Sequence, residues 1–354
     1  MKTLNKFKIN KVILKNRICI APMCQYSAKN GNPTKWHYTH LEKLMNAGAG
    51  LVMIESTAVS KQGMITNQDL SLKSNENAKK LTRLIKCIRQ VSNTKIGLQL
   101  SHSGRKGSAM VPWVKSNSPL RLGKHGWQTI APSPIKRDKH WPEPKEANKN
   151  DIKIIVNDFV LAAERAKKIG FDCLEIHMAH GYLLHQFFSP ISNKRNDDYG
   201  GNLPNRCRIL LEIAKKVRKI WPKNKIIGAR VNGYDWLKEG SKISDCIYLS
   251  KKLKETGLDY VCVTSGGIVP KTNLKFKPGY QIFLAKKIRK ESKILVKTTG
   301  MIQNIKDAEK IIFNKSADLI SFGRKFISSP HWLIKELKKK KHKVNIPNQY
   351  KRCF

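Results

Sequence analysis

Hydrophobic residues recur along the chain in two alternating patterns. Eight short runs are apolar and rich in β-branched residues, and turn residues bound them, which is typical of strands buried on both faces. These runs are residues 17–22, 51–55, 96–100, 173–176, 226–231, 260–264, 294–297 and 319–322. Eight segments with apolar residues at helical spacing follow them in turn. They are residues 39–47, 76–91, 151–169, 204–220, 244–256, 280–290, 305–313 and 331–340.

This alternation predicts an α/β fold, a single (β/α)8 TIM barrel spanning residues 1–354. The clearest unit is 151–176, where Gly170 follows an amphipathic helix and precedes a buried run. The alternative, a doubly wound sheet, would carry a GxGxxG turn after its first strand, and none follows residues 17–22. The barrel is therefore preferred.

Three segments fall outside the repeat. Residues 1–15 alternate loosely and predict an N-terminal hairpin that plugs one end of the barrel. Residues 101–150, after the third strand, are rich in Ser, Pro, Gly and Trp without periodicity. Loops of that length are often functional, and a loop after a barrel strand lies on the ligand-binding face, so we expect a lid. Residues 341–354 form a C-terminal tail.

The charge raises a second hypothesis. Basic residues number 69 against 25 acidic ones, giving a net charge of +44, which invites a nucleic-acid partner. However, 54 of the basic residues are lysines spread over every segment, and only residues 335–343 form a cluster. Scattered lysine without interleaved aromatics is more typical of solvated faces, so no specific nucleic-acid partner is expected.

Cysteine spacing and hydropathy exclude further classes. The eight cysteines contain no CxxC pair, so no metal site is expected. No apolar run approaches the roughly 18 residues of a membrane helix, and the N-terminus lacks a secretory pattern. We therefore expect a cytoplasmic protein without a membrane partner.

Polar residues follow five of the predicted strands and one more lies on a sixth, where a barrel places its chemistry. They occur in 21–26 (APMCQY), 99–106 (QLSHSGRK), 177–182 (HMAHGY), at Arg230, in 298–300 (TTG) and in 323–324 (GR). Together with residues 189–193 (SPISN), Arg195, 198–202 (DYGGN), 205–206 (NR) and 349–352 (QYKR), these segments resemble the old yellow enzyme family. The likeness is to its bacterial subgroup of ene-reductases with a cysteine near the flavin.

The resemblance implies an FMN-dependent oxidoreductase that takes hydride from NADPH or NADH and reduces the C=C bond of α,β-unsaturated carbonyls and related activated alkenes, or quinones or nitro compounds. Two neutral imidazoles, His177 and His180, can converge on one carbonyl oxygen and stabilise developing charge. A metal role for this pair would need a third ligand that the spacing does not supply. Tyr182, protonated at neutral pH, suits the proton donor, although it could instead be a packing aromatic.

The same likeness assigns residues to the cofactor. Ala21, Pro22, Met23 and Ala58 would provide backbone contacts and walls for the flavin, Cys24 would lie against it, Gln99 would bind the pyrimidine edge and Arg230 the N1/O2 edge. The turns at Gly300, Gly323 and Arg324 would bind the phosphate, an assignment that many phosphate-binding barrels share. Tyr26 would contact the substrate carbonyl region.

Several assignments stay open. Arg105 and Lys106 could contact a ligand, or they could be two more of the basic residues that are scattered along the whole chain. Arg352 resembles a residue that reaches a neighbouring subunit's substrate site, so a homodimer or homotetramer is expected, although Cys353 replaces the usual glycine of that tail. The alternative functions are a phosphate-binding barrel lyase or isomerase without flavin, which leaves the His pair unexplained, and a nucleic-acid-binding protein, which explains only the charge.

Overall fold

The predicted barrel is present in the structure, a computed structural model that describes residues 1–342 and 346–354. Eight parallel strands close in the order β10-β11-β12-β3-β4-β5-β8-β9. The barrel strands are β3 (Ile18–Ile20), β4 (Leu51–Ala58), β5 (Lys95–Ser101), β8 (Cys173–Met178), β9 (Ile226–Asn232), β10 (Tyr260–Thr264), β11 (Leu295–Thr298) and β12 (Leu319–Phe322). Each lies within one to three residues of a predicted run, so the fold prediction is confirmed.

The helices cover the outside of the barrel. They are α1 (Lys35–Met45), α2 (Asn75–Val91), α3 (Pro112–Lys115), α4 (Lys149–Ile169), α5 (Leu183–Phe188), α6 (Leu203–Ile220), α7 (Ile243–Glu255), α8 (Ile282–Ser292), α9 (Ile305–Phe313), α10 (Arg324–Ser328) and α11 (Trp332–Lys339). Short 3₁₀ turns occur at Lys2–Leu4, Gly104–Lys106 and Asn348–Cys353. All eight predicted helices are present, and α3, α5 and α10 were not predicted.

Helix α4 shows how local sequence sets the element ends. Asn148 caps its start by accepting a hydrogen bond from the Asp151 N–H, while the Asp151 side chain accepts from the Asn148 N–H. Gly170 ends the helix in the left-handed region at φ 95°. Between these ends, Ile152, Phe159 and the alanines on the same face are buried against the sheet. These contacts fix where α4 ends and therefore where the next strand, β8, begins.

The N-terminal strands β1 (Phe7–Ile9) and β2 (Val12–Leu14) form an antiparallel hairpin. Ile9 and Leu14 are buried in a cluster with side chains from the barrel interior, including Leu51 and Tyr260. These barrel residues lie at the beginning of their strands. The hairpin therefore lies across the end of the barrel opposite the carboxyl ends of the strands.

The long segment between β5 and α4 is tied to the barrel at several points. Its two short strands, β6 (Ile130–Ala131) and β7 (Lys145–Glu146), pair with each other. The Arg195 guanidinium donates to the carbonyls of Pro132 and Ala147, and the Lys194 N–H donates to Ser133 Oγ. The middle of this segment, around α3, is largely exposed. That residues 101–150 act as a lid remains a prediction.

Two predictions concern the C-terminal end of the chain. The lysine-rich cluster of residues 335–343 begins on α11, whose lysines are mostly exposed, and its last residue lies outside the described part. Residues 343–345 of the predicted tail also lie outside it. In the described ranges, 1–342 and 346–354, no helix has the length and apolar character needed to cross a bilayer.

Candidate active site

A cavity of about 320 Å³ opens at the carboxyl ends of the barrel strands. Seven of the ten residues predicted to bind the cofactor line it, together with one of the two imidazoles. They are Ala21, Pro22, Met23, Arg230, Gly300, Gly323 and Arg324, with His180. The structure therefore brings together residues that come from five separate barrel loops.

The cavity is chemically suited to an anionic cofactor. Arg230, Arg324 and Lys325 line it, and none of its lining residues within 1–342 and 346–354 is acidic. Arg230 Nε and Ser321 Oγ are buried there without a hydrogen-bond partner in the described part of the chain, which is costly unless a ligand supplies acceptors and donors. Gly300 has φ 116°, and a Cβ at this position would lie 2.6 Å from Gln281 Nε2. These features fit a phosphate-bearing flavin, with the backbone of Gly300 and Gly323 free of side chains at one end.

His177, His180 and Tyr182 form one aromatic cluster beside this cavity. The His177 ring centroid lies 5.1 Å from that of His180 and 4.9 Å from that of Tyr182, each pair edge-to-face. Burial, followed by the positive charge of Arg230, lowers the pKa of both imidazoles well below the usual value. Burial also raises the pKa of the Tyr182 phenol. The imidazoles are thus neutral and the phenol keeps its proton at pH 7.

Hydrogen bonds determine which ring nitrogens carry the protons. His177 Nδ1 accepts from the Ala179 N–H at 3.2 Å, so its Nε2 carries the proton and can donate to a ligand. His180 Nε2 lies 2.9 Å from Thr264 Oγ1, and that hydroxyl donates to Gln281 Oε1. Thr264 must therefore accept the proton of His180 Nε2. Of the two imidazole donors predicted to bind the substrate oxygen, that of His177 is therefore free, and that of His180 is bound to Thr264.

Buried contacts fix the turn that follows β8. Gly181 lies at φ 72°, and a Cβ there would collide with the carbonyl of Gly267. The Gly181 N–H donates to His185 Nδ1 at 2.7 Å, and His185 Nε2 pairs with Asp235 Oδ1 at 2.9 Å. His180 itself has φ 58°, a left-handed conformation that costs energy in a residue with a Cβ. Buried contacts therefore hold the proposed catalytic residues in a strained turn.

Cys24 and Tyr26 follow β3 and lie on the other side of Tyr182. Both pack, with Tyr182, against the buried cluster of Ile65, Ala109 and Trp141. Glu55 Oε2 accepts from the Gln25 N–H and fixes the backbone between them. Burial, then the charges of Asp69 and Glu55, raises the pKa of the Cys24 thiol well above its usual value, so Cys24 is not a thiolate nucleophile.

Two residues assigned to the cofactor have other partners. Gln99 does not line the cavity, and its Nε2 donates to Glu175 Oε1 at 2.8 Å inside the barrel. This leaves Gln99 Oε1 and the second N–H of Nε2 for a ligand. The Ala58 N–H donates to the Leu70 carbonyl, and its own carbonyl accepts from the Leu72 N–H. The predicted contact of Ala58 with the flavin stays a prediction, and its methyl group would form the wall.

Sequence reasoning missed several residues of the site. Thr264 and Gln281 line the cavity and hold His180, but a Thr at a strand end and a Gln before a helix carry no specific signal. Lys106 Nζ donates to the His180 carbonyl at 2.7 Å and lies 4.9 Å from the Tyr182 ring centroid, which places it at the site. The motif 99–106 did signal Lys106, although its role stayed open.

Arg352 lies apart from these residues. It is exposed in the last 3₁₀ turn, where the neighbouring Tyr350 and Phe354 contact His331. It does not line the cavity of its own chain. Among the residues that the structure describes, no group of three His, Cys, Asp or Glu side chains could hold a metal ion.

The fold and site define a barrel oxidoreductase of the flavin type, and comparisons with known proteins agree. Residues 4–343 match the model of the NADH:flavin oxidoreductase / NADH oxidase family. The NADPH dehydrogenase of Clostridium acetobutylicum is 37% identical over 357 aligned positions, covering 100% of both chains. That of Listeria innocua is 38% identical, covering 100% of this chain and 99% of its own. An NADH:flavin oxidoreductase of Gibberella zeae is 40% identical, covering 93% of this chain and 83% of its own.

Solved structures share the fold. Morphinone reductase in complex with tetrahydroNAD has a TM-score of 0.78 at 23% identity and covers 98% of this chain and 92% of its own. The old yellow enzyme homologue from Zymomonas mobilis has a TM-score of 0.80, covering 98% and 94%. The chain belongs to the NADH:flavin oxidoreductase / NADH oxidase family, that of the old yellow enzymes. It is an FMN oxidoreductase that uses NAD(P)H as hydride donor, as the sequence predicted.

Proposed function

We propose that this NAD(P)H:FMN oxidoreductase is an ene-reductase that reduces the C=C bond of an alkene activated by a carbonyl. The observation that supports this most is the neutral imidazole of His177, whose Nε2 donor lies beside a protonated phenol, Tyr182. An N–H donor and an O–H acid next to each other suit a reaction that adds a proton to one end of a polarised double bond.

The chain's own residues divide this work. His177 Nε2 donates to the carbonyl oxygen of the substrate and draws electron density toward it. His180 can add a second hydrogen bond when its Nε2 proton turns from Thr264 to the ligand, because neutral imidazole has one donor to give. Tyr182 delivers its phenolic proton to the α-carbon. Tyr26 and Cys24, which pack beside Tyr182, form the apolar wall that excludes water from the alkene.

The cofactor residues are assigned from the cavity. Arg324 and the side-chain-free turns at Gly300 and Gly323 would bind the FMN phosphate, and Arg230 would lie at the N1/O2 edge. Ala21, Pro22 and Met23 would contact the ring, and Gln99 Oε1 its pyrimidine edge. When bound, the flavin passes hydride from NAD(P)H to the alkene. Quinones and nitro compounds that fit the same oxygen site are further acceptors of this kind.

The test uses protein purified with FMN and reduced anaerobically by NADPH or NADH. We expect cyclohexenone to reoxidise the flavin with formation of cyclohexanone, and phenols added to the oxidised protein to give a long-wavelength charge-transfer band. The double variant His177→Ala/His180→Ala should retain FMN and lose both properties. If this double variant kept the band and the activity, the assignment of the imidazoles would be wrong.

The alternative of a lyase or isomerase without flavin is not favoured. It shares the turns at Gly300 and Gly323 but has no use for the unpartnered Arg230 Nε or the imidazole pair. A colourless protein that does not bind added FMN would favour the lyase or isomerase alternative.

A further inference from the structure

One cation near the site has no hydrogen-bond acceptor or acidic partner among the residues that the structure describes. Arg137, in the segment that crosses the barrel mouth between β6 and β7, has its guanidinium carbon 4.5 Å from the ring centroid of Trp141. Within the described ranges it forms neither an ion pair nor a hydrogen bond to another side chain or carbonyl. A guanidinium has five donors, and a half-buried one without an acceptor is unusual.

The backbone before Arg137 is firmly held. The buried Arg105 guanidinium donates to the Ile135 carbonyl at 3.1 Å and to the Ile268 carbonyl at 2.8 Å. It thereby ties the crossing segment to the loop after β10. The position of Arg137 is thus set by buried contacts and does not depend on a mobile surface loop.

Arg137 faces the substrate side of the site. Its stacking partner Trp141 is 3% exposed and belongs to the cluster against which Tyr26 and Tyr182 pack. Lys106 lies over the Tyr182 ring as well. Burial, then Arg137 and Arg105, lowers the pKa of Lys106 to about 7, as expected for three cations gathered without a carboxylate between them.

The charges of the other two cations are already engaged. Arg105 donates to backbone carbonyls, and Lys106 donates to the carbonyls of His180 and Gly267. The nearest acid in sequence, Asp138, accepts from the Lys139 N–H and makes no ion pair with Arg137. An anion entering beside Tyr182 would therefore find Arg137 as its free, bidentate partner.

We propose that Arg137 binds an anionic group, a carboxylate or phosphate, on a ligand that lies against Tyr182. This inference rests on the proposed function, and it narrows the substrates to activated alkenes with a negative charge on the side away from the polarised carbonyl. The same chemistry is present in the phosphates of the nicotinamide donor, which would bind at this site in the other half-reaction. Two arms of one experiment distinguish the sources.

The first arm compares 4-hydroxybenzoate with its neutral analogue 4-hydroxybenzamide, bound to the FMN-loaded enzyme and measured by calorimetry and by the charge-transfer band. The wild type should prefer the carboxylate, and Arg137→Met should lower that preference by about 10–100-fold, the usual range for a charge-assisted hydrogen bond. Arg137→Lys should keep part of it. The second arm measures the Kd of NADPH and NADH in anaerobic stopped-flow reduction of the same proteins.

Lys139→Met is the matched control, because Lys139 is an exposed cation two residues further along the same segment. A loss of carboxylate preference in Arg137→Met alone supports the substrate as the source of the anion. A loss confined to NADPH binding supports the donor. Unchanged Kd values in both arms would overturn the proposal. Calorimetry could show the carboxylate preference while neither phenol gives a charge-transfer band. In that case the oxygen-binding role of His177 and His180 is wrong and the role of Arg137 stands.

Discussion

At the scale of single residues, Tyr182 carries the most specific expectation. Its side chain is partly buried, and burial raises the pKa of the phenol, so it remains a proton donor across the working pH range. Replacing it by Phe in Tyr182→Phe removes the donor and keeps the ring against His177. We expect reoxidation of the flavin by cyclohexenone to slow by about 10²–10⁴-fold, a typical loss for a general acid.

Stopped-flow measurements of both half-reactions check this role. Reduction of the flavin by NADPH should change little in Tyr182→Phe, because no proton from this residue is needed there. Quinones, which can be protonated from solvent, should lose less than alkenes. An equal loss in both half-reactions would instead indicate that the phenol only shapes the pocket.

The residues that sequence could and could not predict differ in how they are recognised. His177, His180 and Tyr182 stand in one short motif at a strand end, so the chain itself indicates them. Thr264 acts on His180, which is far away in sequence, and the backbone before Arg137 is held by the equally distant Arg105. Their roles depend on packing between loops, which has no local pattern. The neighbours of Ala58 were unpredictable for the same reason, because Leu70 and Leu72 bond to its backbone groups from further along the chain.

At the scale of elements, a buried ion pair joins strands on different sides of the barrel. Lys297 Nζ on β11 lies 2.6 Å from Glu175 Oε2 on β8, and both side chains are fully buried. The Tyr260 hydroxyl on β10 and Gln99 on β5 donate to the same carboxylate. Burial alone would raise the pKa of Glu175, but Lys297 and Arg230 lower it below the usual value. The carboxylate therefore stays ionised inside the barrel.

Lys297→Met should leave that carboxylate buried without its cation. We expect the free energy of unfolding to fall by about 3–5 kcal/mol, the usual cost of breaking a buried pair from one side. Urea unfolding of the FMN-loaded protein measures it. The double variant Lys297→Met/Glu175→Gln removes both charges and keeps an acceptor for Tyr260, so it should recover a large part of the loss. A single variant as stable as wild type would show that the pair contributes nothing.

Element boundaries were predictable where a helix has one apolar face. Helix α9 has the predicted bounds, 305–313, and α4 begins two residues earlier than expected. Helix α5 was missed because its six residues are all buried, so it has no polar face and no helical periodicity. Strands β6 and β7 have two residues each, too few for an alternation to be visible. Tertiary contacts, and not local pattern, determine these pieces.

At the scale of the whole molecule, the two features outside the site are the high net positive charge and the C-terminal tail. The structure spreads exposed lysines over the helices, as expected for solvated faces. Arg352, in contrast, is exposed on its own chain and does not line the cavity. If it binds substrate as predicted, it must do so in the site of a second copy.

Complementation between two inactive variants tests this arrangement. Arg352→Ala should lower alkene reduction, and Tyr182→Phe should do so as well, each without loss of FMN. When the two proteins are unfolded, mixed and refolded, a mixed dimer carries one site with Tyr182 from one chain and Arg352 from the other. Random pairing would then restore about a quarter of the sites, because half of the dimers are mixed and each has one intact site. Sedimentation of the wild type provides the assembly size for this calculation. A mixture that regains no activity, or a monomer in sedimentation, would show that Arg352 does not act across a subunit boundary.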